Sequence, residues 1–322
     1  MWISNVASPV LMFSIAEPLL RTLPSGSSFA KAIILGIALA ANIGGMASPI
    51  SSPQNLIAIS YMDPPPSWGL WFEVAIPVCI FSLFCVWVFL IVTFQPGNTI
   101  VKPIKFHKED FTFKHWFIIV VTIGTIILWC VDSQLKDYLS GNGIIAVIPI
   151  VLFFGSGILT GDDFNGFLWT IIGLAMGGIA LGKAISSSGL LSTIAMAIEH
   201  KINGMSVFGV LTVFGALVLV VATFVSHTVA ALVILPLVQQ IGKALPGDKS
   251  NILVLSSALL CSAAMGLPTS GFPNVTAICM RDQLQKPYVT VSNFITRGVP
   301  ASAFCYAVII SLGYFIMEAA NV

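Results

Sequence analysis

Charge is scarce in this chain. Asp, Glu, Lys and Arg make up 8% of the 322 residues, against about a quarter in an ordinary soluble domain. A soluble globule of this size could not cover its surface with so few charged side chains. The net charge of +1 leaves no basic patch for a nucleic acid or another polyanion. So apolar a composition also excludes a disordered chain. Cysteine is sparse: Cys79, Cys85, Cys130, Cys261, Cys279 and Cys305 lie in or beside apolar runs, and none falls in a CxxC or Cys/His spacing. A transition-metal centre is therefore not expected, and the thiols read as small apolar fillers. The period-two alternation of a membrane β-barrel is missing. Met1 runs directly into Trp2-Ile3-Ser4-Asn5 with no basic stretch, so no cleavable leader is expected.

What the chain has is apolar length. Residues of the AVILMFWYC set reach 57%, and they come in runs at 5–20, 31–62, 71–94, 116–131, 143–157, 167–198, 205–239, 252–280 and 294–317. Runs of this length predict an all-α integral membrane protein with several spans. The stretch 95–115 is polar and carries four lysines, so it reads as a cytoplasmic linker. With 5–20 and 205–239 taken as parts of re-entrant hairpins, nine Lys and Arg fall on the linker's side, Arg21, Lys31, Arg281, Lys286 and Arg297 among them. Four fall opposite, and the excess sets the orientation. Trp68, Trp71, Trp116 and Trp169 suit an aromatic belt at the membrane surfaces. Lys183 falls within a span, where it would offset a bound anion's charge, pair with a helix carbonyl or snorkel. Gly173-Gly177 and Gly178-Gly182 are two GxxxG steps, which mark close helix packing.

Four polar interruptions stand out, two in each half. Ser4-Asn5-Val6 is followed by Ser51-Ser52-Pro53-Gln54-Asn55. Ser226-His227-Thr228 is followed by Ser270-Gly271-Phe272-Pro273-Asn274. Paired breaks in corresponding positions point to an inverted-repeat transporter with a site near the bilayer midplane. Unwound backbone survives at that depth only inside protein or beside a watery cavity. Each break is also built as a helix start. Ser4 or Asn5 can cap the run from Val6, and Ser226 the run from Thr228. Ser52 places a capping hydroxyl before Pro53 at the first helical position. Four converging helix starts would bind an oxyanion through N–H groups without a formal positive charge.

These residues resemble the divalent anion/sodium symporter family. Ser4-Asn5-Val6-Ala7 and Ser226-His227-Thr228-Val229-Ala230 are similar to its two Ser-Asn-Thr hairpin tips. Ile43 to Asn55 and Leu267 to Asn274 are similar to its two unwound helices, and Gly177 to Ala184 with Ser188-Gly189-Leu190 also fits. Met46-Ala47-Ser48-Pro49-Ile50-Ser51-Ser52-Pro53-Gln54-Asn55 is most similar to the fungal low-affinity phosphate transporter branch. The resemblance implies an elevator-type transporter, usually a homodimer, in which hairpins and broken helices move as one body. It implies that Asn5, Val6, Ser52, His227, Thr228 and Gly271 face the anion. It implies a first cation at Ser4, Asn5 and Ser51, a second at Ser226, His227 and Ser270, and loop bracing by Asn55 and Asn274. The coupling ion would be Na+ or H+.

Three departures matter. Val6 replaces the Thr of the first tip and removes one hydroxyl. His227 replaces the Asn of the second; it either titrates, so that its proton replaces a sodium ion or follows phosphate protonation, or stays neutral and donates one hydrogen bond. The family has several helices and a hairpin arm before the first tip, which here follows three residues, so the first repeat is expected to be incomplete. The domain reading is 1–94 for the C-terminal part of the first repeat, 95–115 for the linker and 116–322 for the second repeat. The function expected is low-affinity, cation-coupled or proton-linked transport of inorganic phosphate across a plasma or vacuolar membrane. Dicarboxylate or sulfate transport is the alternative within the family, and a non-transporting truncated remnant another. An intramembrane serine hydrolase would need a Ser270–His227 dyad. Ser51-Ser52 shares the same helix-start design without a histidine, which argues for binding over catalysis.

Overall fold

The apolar runs fold as helices, and the polar breaks are where the helices stop. The computed structural model describes residues 4–24, 26–95, 110–130, 142–167, 205–282 and 284–320, with 169, 184, 187, 188 and 322. Most of the expected span at 167–198, with Lys183 and both GxxxG steps, lies outside the described residues, as does the greater part of the 95–115 linker. Among the described residues regular structure is helical, apart from an isolated bridge between Arg281 and Pro287.

Contacts divide the chain into two units. The larger comprises Met1–Pro66, Leu70–Ile104 and Ala175–Val322. It opens with α1 (Ala7–Leu20), α2 (Ser28–Gly44), α3 (Pro53–Ser60) and α4 (Trp68–Phe94, from Leu70 onward). The smaller comprises Ser67–Gly69 and Lys105–Leu174 and holds α5 (Phe113–Cys130), α6 (Asn142–Gly155) and α7 (Gly161–Asn165). The larger unit resumes with α8 (Val207–Phe224), α9 (His227–Ala244), α10 (Ser250–Ala263) and α11 (Phe272–Cys279). A last long helix follows, α12 (Val291–Val308), continuing through a π turn (Ile309–Gly313) into α13 (Tyr314–Ala319).

In the larger unit α10 is the centre. Every residue from Ile252 to Ala263 is buried, and a helix apolar on all sides is stable only when surrounded. α9, α8, α3 and the last helix pack around it, and α11 packs on α2. The peripheral helices turn large apolar side chains outward: on α4, Ile80, Phe81, Phe84 and Trp87 are all more than half exposed. In water such a stripe would aggregate; in a bilayer it meets lipid. Among the described residues four helical stretches are long and apolar enough to cross a membrane: α4, α8, α9 and Val291–Ala319. The protein is therefore a multi-pass integral membrane protein. The stretch 205–239, expected as part of a re-entrant hairpin, folds as α8 and the greater part of α9, which meet at Ser226.

In the smaller unit α5 packs on α6 through Phe117 edge-on to Phe153, ring centres 6.2 Å apart. Phe154 meets Phe164 and Phe167. Asp163 accepts hydrogen bonds from the Thr160 N–H and hydroxyl, each 2.8 Å. They hold its carboxyl below the ordinary value, as suits an exposed helix start.

Two belt tryptophans are corrected. Trp68 and Trp71 are buried, and the Trp71 indole N–H donates to the Met46 carbonyl at 2.9 Å. The ring thus closes off the end of the broken helix instead of facing headgroups. Trp116 and Trp169 are exposed. Trp71→Phe should keep the packing and leave the Met46 carbonyl unpaired, at a cost of about 1–3 kcal/mol. A thermal melt in detergent reads this, and an unchanged midpoint would show that the indole bond carries nothing.

Candidate functional site

The four breaks lie together in the larger unit. Each begins with a helix end that the local sequence enforces. α2 stops at Gly44 with Gly45 as its cap, and α3 restarts at Pro53, whose fixed φ suits a first helical position. α10 stops at Ala263, and α11 restarts after Gly271 with Phe272-Pro273.

The two tips are capped alike. The Ser4 hydroxyl accepts from the Ala7 N–H at 3.2 Å, and the Ser226 hydroxyl from the Val229 N–H at 3.3 Å. Both are the caps expected from the sequence. Each tip then joins its broken helix through the main chain. Asn5 N–H donates to the Ser51 carbonyl at 2.8 Å, and His227 N–H donates to the Ser270 carbonyl at 3.0 Å. The two bonds are alike: each ties the residue after the capping serine to an unwound loop.

Two buried amides span the unwound loops. Asn55 Nδ2 donates to the carbonyls of Gly45 and Ser48, both at 2.8 Å. Asn274 Nδ2 lies 2.8 Å from the Leu267 carbonyl and 3.1 Å from both the Met265 carbonyl and Ser270 Oγ. The Ser51 hydroxyl turns back on its own loop, 2.8 Å from the Gly45 and Ser48 carbonyls. Ser270 does the same to Leu267. These hydroxyls shape the loops. Ser52 departs from expectation: it occupies the position before α3, but its hydroxyl caps nothing and is buried without a partner. The turn is already closed by the Asn55 N–H on the Ser52 carbonyl.

Asn42 joins the two sets. Its main-chain oxygen sits beside Gly45, as do Ser52 Oγ and Asn5. Its side-chain nitrogen donates to Asn274 Oδ1 at 2.8 Å, across 232 positions of sequence. Its Oδ1 lies on the Gly271 side, next to His227. Asn42 is fully buried. The residue pattern did not single it out as a site residue, although an amide at the start of the polar interruption in the run 31–62 was the available signal. A second cross-link joins Gln54 Nε2 to Ser262 Oγ at 2.7 Å.

His227 is buried, and its Nε2 lies 2.7 Å from the Ala264 carbonyl. A carbonyl can only accept, so Nε2 holds the proton. This bond, with that of Ser270 to Leu267, leaves the Ser–His dyad of a hydrolase unformed. Asn5, Ser51, Ser52, Ser270, Gly271 and Thr228 are also buried, while Ser4, Val6 and Ser226 are partly exposed. Beside Asn5 and Gly45 opens a mostly apolar cavity of ≈ 430 Å³ along α1 and α2, bounded further by Ser8, Met12, Ile33 and Ile37. Four side-chain oxygens in the cluster are buried without a hydrogen-bond partner: Asn5 Oδ1, Asn42 Oδ1, Ser52 Oγ and Asn55 Oδ1. Buried polar atoms are seldom left so. No described Lys or Arg side chain is among the residues that form the breaks. An anion there would meet helix-start N–H groups, hydroxyls and amides.

Comparison with known proteins gives consistent findings. The model of a family described as "sodium:sulfate symporter transmembrane region" matches residues 28–317. The inorganic phosphate transporter PHO87 of Saccharomyces cerevisiae is 56% identical over 316 residues, covering 98% of this chain and 34% of the relative. The low-affinity phosphate transporter PHO90 of the same yeast is 54% identical, covering 98% and 36%. The sodium-dependent dicarboxylate transporter SdcS of Staphylococcus saprophyticus is 24% identical, covering 85% and 59%. The chain thus spans about a third of the length of the yeast relatives.

Proposed function

The chain belongs to the sodium:sulfate symporter family, and on that premise we propose that it forms the transport core of a secondary active transporter of inorganic phosphate. The observation that carries the reading is the buried meeting of two matched tip-and-loop pairs, linked through Asn42 and Asn274. In this reading the anion sits among Asn5, Val6, Ser52, His227, Thr228 and Gly271. Helix starts at α1, α3, α9 and α11 offer it N–H groups and the positive ends of four peptide dipoles. Phosphate is chosen because PHO87 and PHO90 carry that substrate in their names. Sulfate or a dicarboxylate is the alternative within the family, supported by the more distant SdcS.

A cation beside Ser4, Asn5 and Ser51, and a second beside Ser226, His227 and Ser270, would lower the electrostatic cost of burying the anion and tighten both loops. The coupling ion is Na+ or H+. The two halves, 1–94 and 116–322 about the 95–115 linker, act as inverted repeats. The site crosses the bilayer as a rigid body in an elevator motion, within a homodimer.

The test is phosphate uptake into proteoliposomes carrying the chain. Asn5→Ala and Thr228→Ala should each lower uptake by roughly 10- to 100-fold, as expected for loss of one hydrogen bond to a charged ligand. Both variants should remain monodisperse. Unchanged uptake in both refutes the site. Phosphate failing to compete where succinate or sulfate does refutes the substrate.

A further inference from the structure

Gly271 lacks a side chain where two acceptors converge. A Cβ built on it would lie 2.9 Å from His227 Nδ1 and 3.1 Å from Asn42 Oδ1. Both atoms have a settled hydrogen-bonding sense. His227 Nε2 carries the ring proton to the Ala264 carbonyl, so on the neutral ring Nδ1 is a bare lone pair. Asn274 spends its amide nitrogen on main-chain carbonyls, so its Oδ1 must accept. The group of Asn42 that meets it is therefore the amide nitrogen, and the opposite end of Asn42 is the oxygen. That oxygen is buried in a fully enclosed residue and has no partner.

We propose that Asn42 Oδ1 and His227 Nδ1 form an acceptor pair that reads the hydroxyl of a protonated oxyanion, which makes Asn42 a specificity-determining residue of the site. The inference rests on the transport reading above and names what that site distinguishes. Two acceptors this close to the same stretch of Gly271 backbone repel a bare anionic oxygen and are satisfied only by a donor. Near neutral pH phosphate always carries at least one P–OH; sulfate carries none. The helix starts attract either anion, so charge alone does not separate them. A site built to bond a substrate hydroxyl rejects the analogue without one far more sharply than an apolar pocket rejects a change of size. The bond from Asn42 to Asn274 holds the acceptor in place, so the same amide that links the two unwound loops presents its other end to the substrate.

The experiment is equilibrium binding of radiolabelled phosphate to the purified full chain, with arsenate and sulfate as competitors. Arsenate keeps the proton of phosphate, and sulfate lacks it. Wild type should be displaced by arsenate at roughly 100-fold lower concentration than by sulfate. Asn42→Leu should weaken phosphate and arsenate by roughly 10- to 100-fold and leave sulfate nearly unchanged, so that the preference collapses. Asn42→Ala is the second truncation, read in the same way if the larger side chain prevents folding. A variant that weakens all three anions equally, or that changes only the dependence of binding on sodium, overturns the proposal and makes Asn42 a brace or a cation ligand. Wild-type chain that binds none of the three overturns the transport reading as well, so the two failures are told apart.

Discussion

Asn274→Ala should lower the thermal midpoint of the detergent-solubilised chain by roughly 10 °C and abolish phosphate uptake. The side chain sits at the crossing of both unwound loops. Removing it leaves the Met265 carbonyl and the Asn42 amide without partners inside the protein, while the Leu267 carbonyl keeps the Ser270 hydroxyl. Each buried group left unpaired costs about 1–3 kcal/mol, or about 2–6 kcal/mol for the two together. For a chain of this size each kcal/mol moves the midpoint by about 2–4 °C. Asn55→Ala is the internal comparison. Its two carbonyl partners keep the Ser51 hydroxyl, and its own oxygen has no partner to lose. Its midpoint should therefore fall by less. An Asn55→Ala variant at least as unstable as Asn274→Ala would show that the link to Asn42 adds nothing to the fold.

Gly271→Ala should remove phosphate binding while the chain stays folded. The backbone at Gly271 is extended, with φ −156°, so alanine meets no conformational penalty there. The obstacle is space. The added methyl would lie 2.6 Å from His227 Cε1, and the ring cannot swing away without leaving the Ala264 carbonyl. Overpacking of this kind costs about 1–3 kcal/mol, too little to unfold the protein but enough to displace one wall of the site. Affinity for phosphate should fall by roughly 100-fold, measured by equilibrium binding. Gly124→Ala controls for glycine content, because a methyl at Gly124 meets nothing within 4 Å. Equal affinity in Gly271→Ala and wild type would move the anion away from this loop.

Helix positions were legible in the sequence to within a few residues, because each break is punctuated by Pro, Gly or a capping Ser. The expected run 71–94 is α4, and 252–280 is α10 and α11 with their gap. Tip caps at Ser4 and Ser226 were also readable, since they depend on residues close in sequence, whereas the bracing by Asn55 and Asn274 was implied only by the family resemblance. Ser52 was misjudged because a cap position does not oblige its hydroxyl to cap once a neighbouring main-chain bond closes the turn. Trp71 was misjudged because composition places indoles at membrane surfaces but does not say which face of a helix meets a neighbour.

By itself, then, the amino-acid order determined that the chain is helical and lies in a membrane, where each helix starts and stops, and which short segments must be unwound. Those features follow from run length, proline and glycine chemistry and local hydrogen bonding, all of which act over a few residues. Only the folded packing decided that Asn42 reaches Asn274, that Trp71 turns inward to Met46, and that His227 and Asn42 flank the bare backbone of Gly271. Contacts between residues far apart in the chain depend on which helices become neighbours and how they are rotated. A single sequence does not encode that in any local pattern.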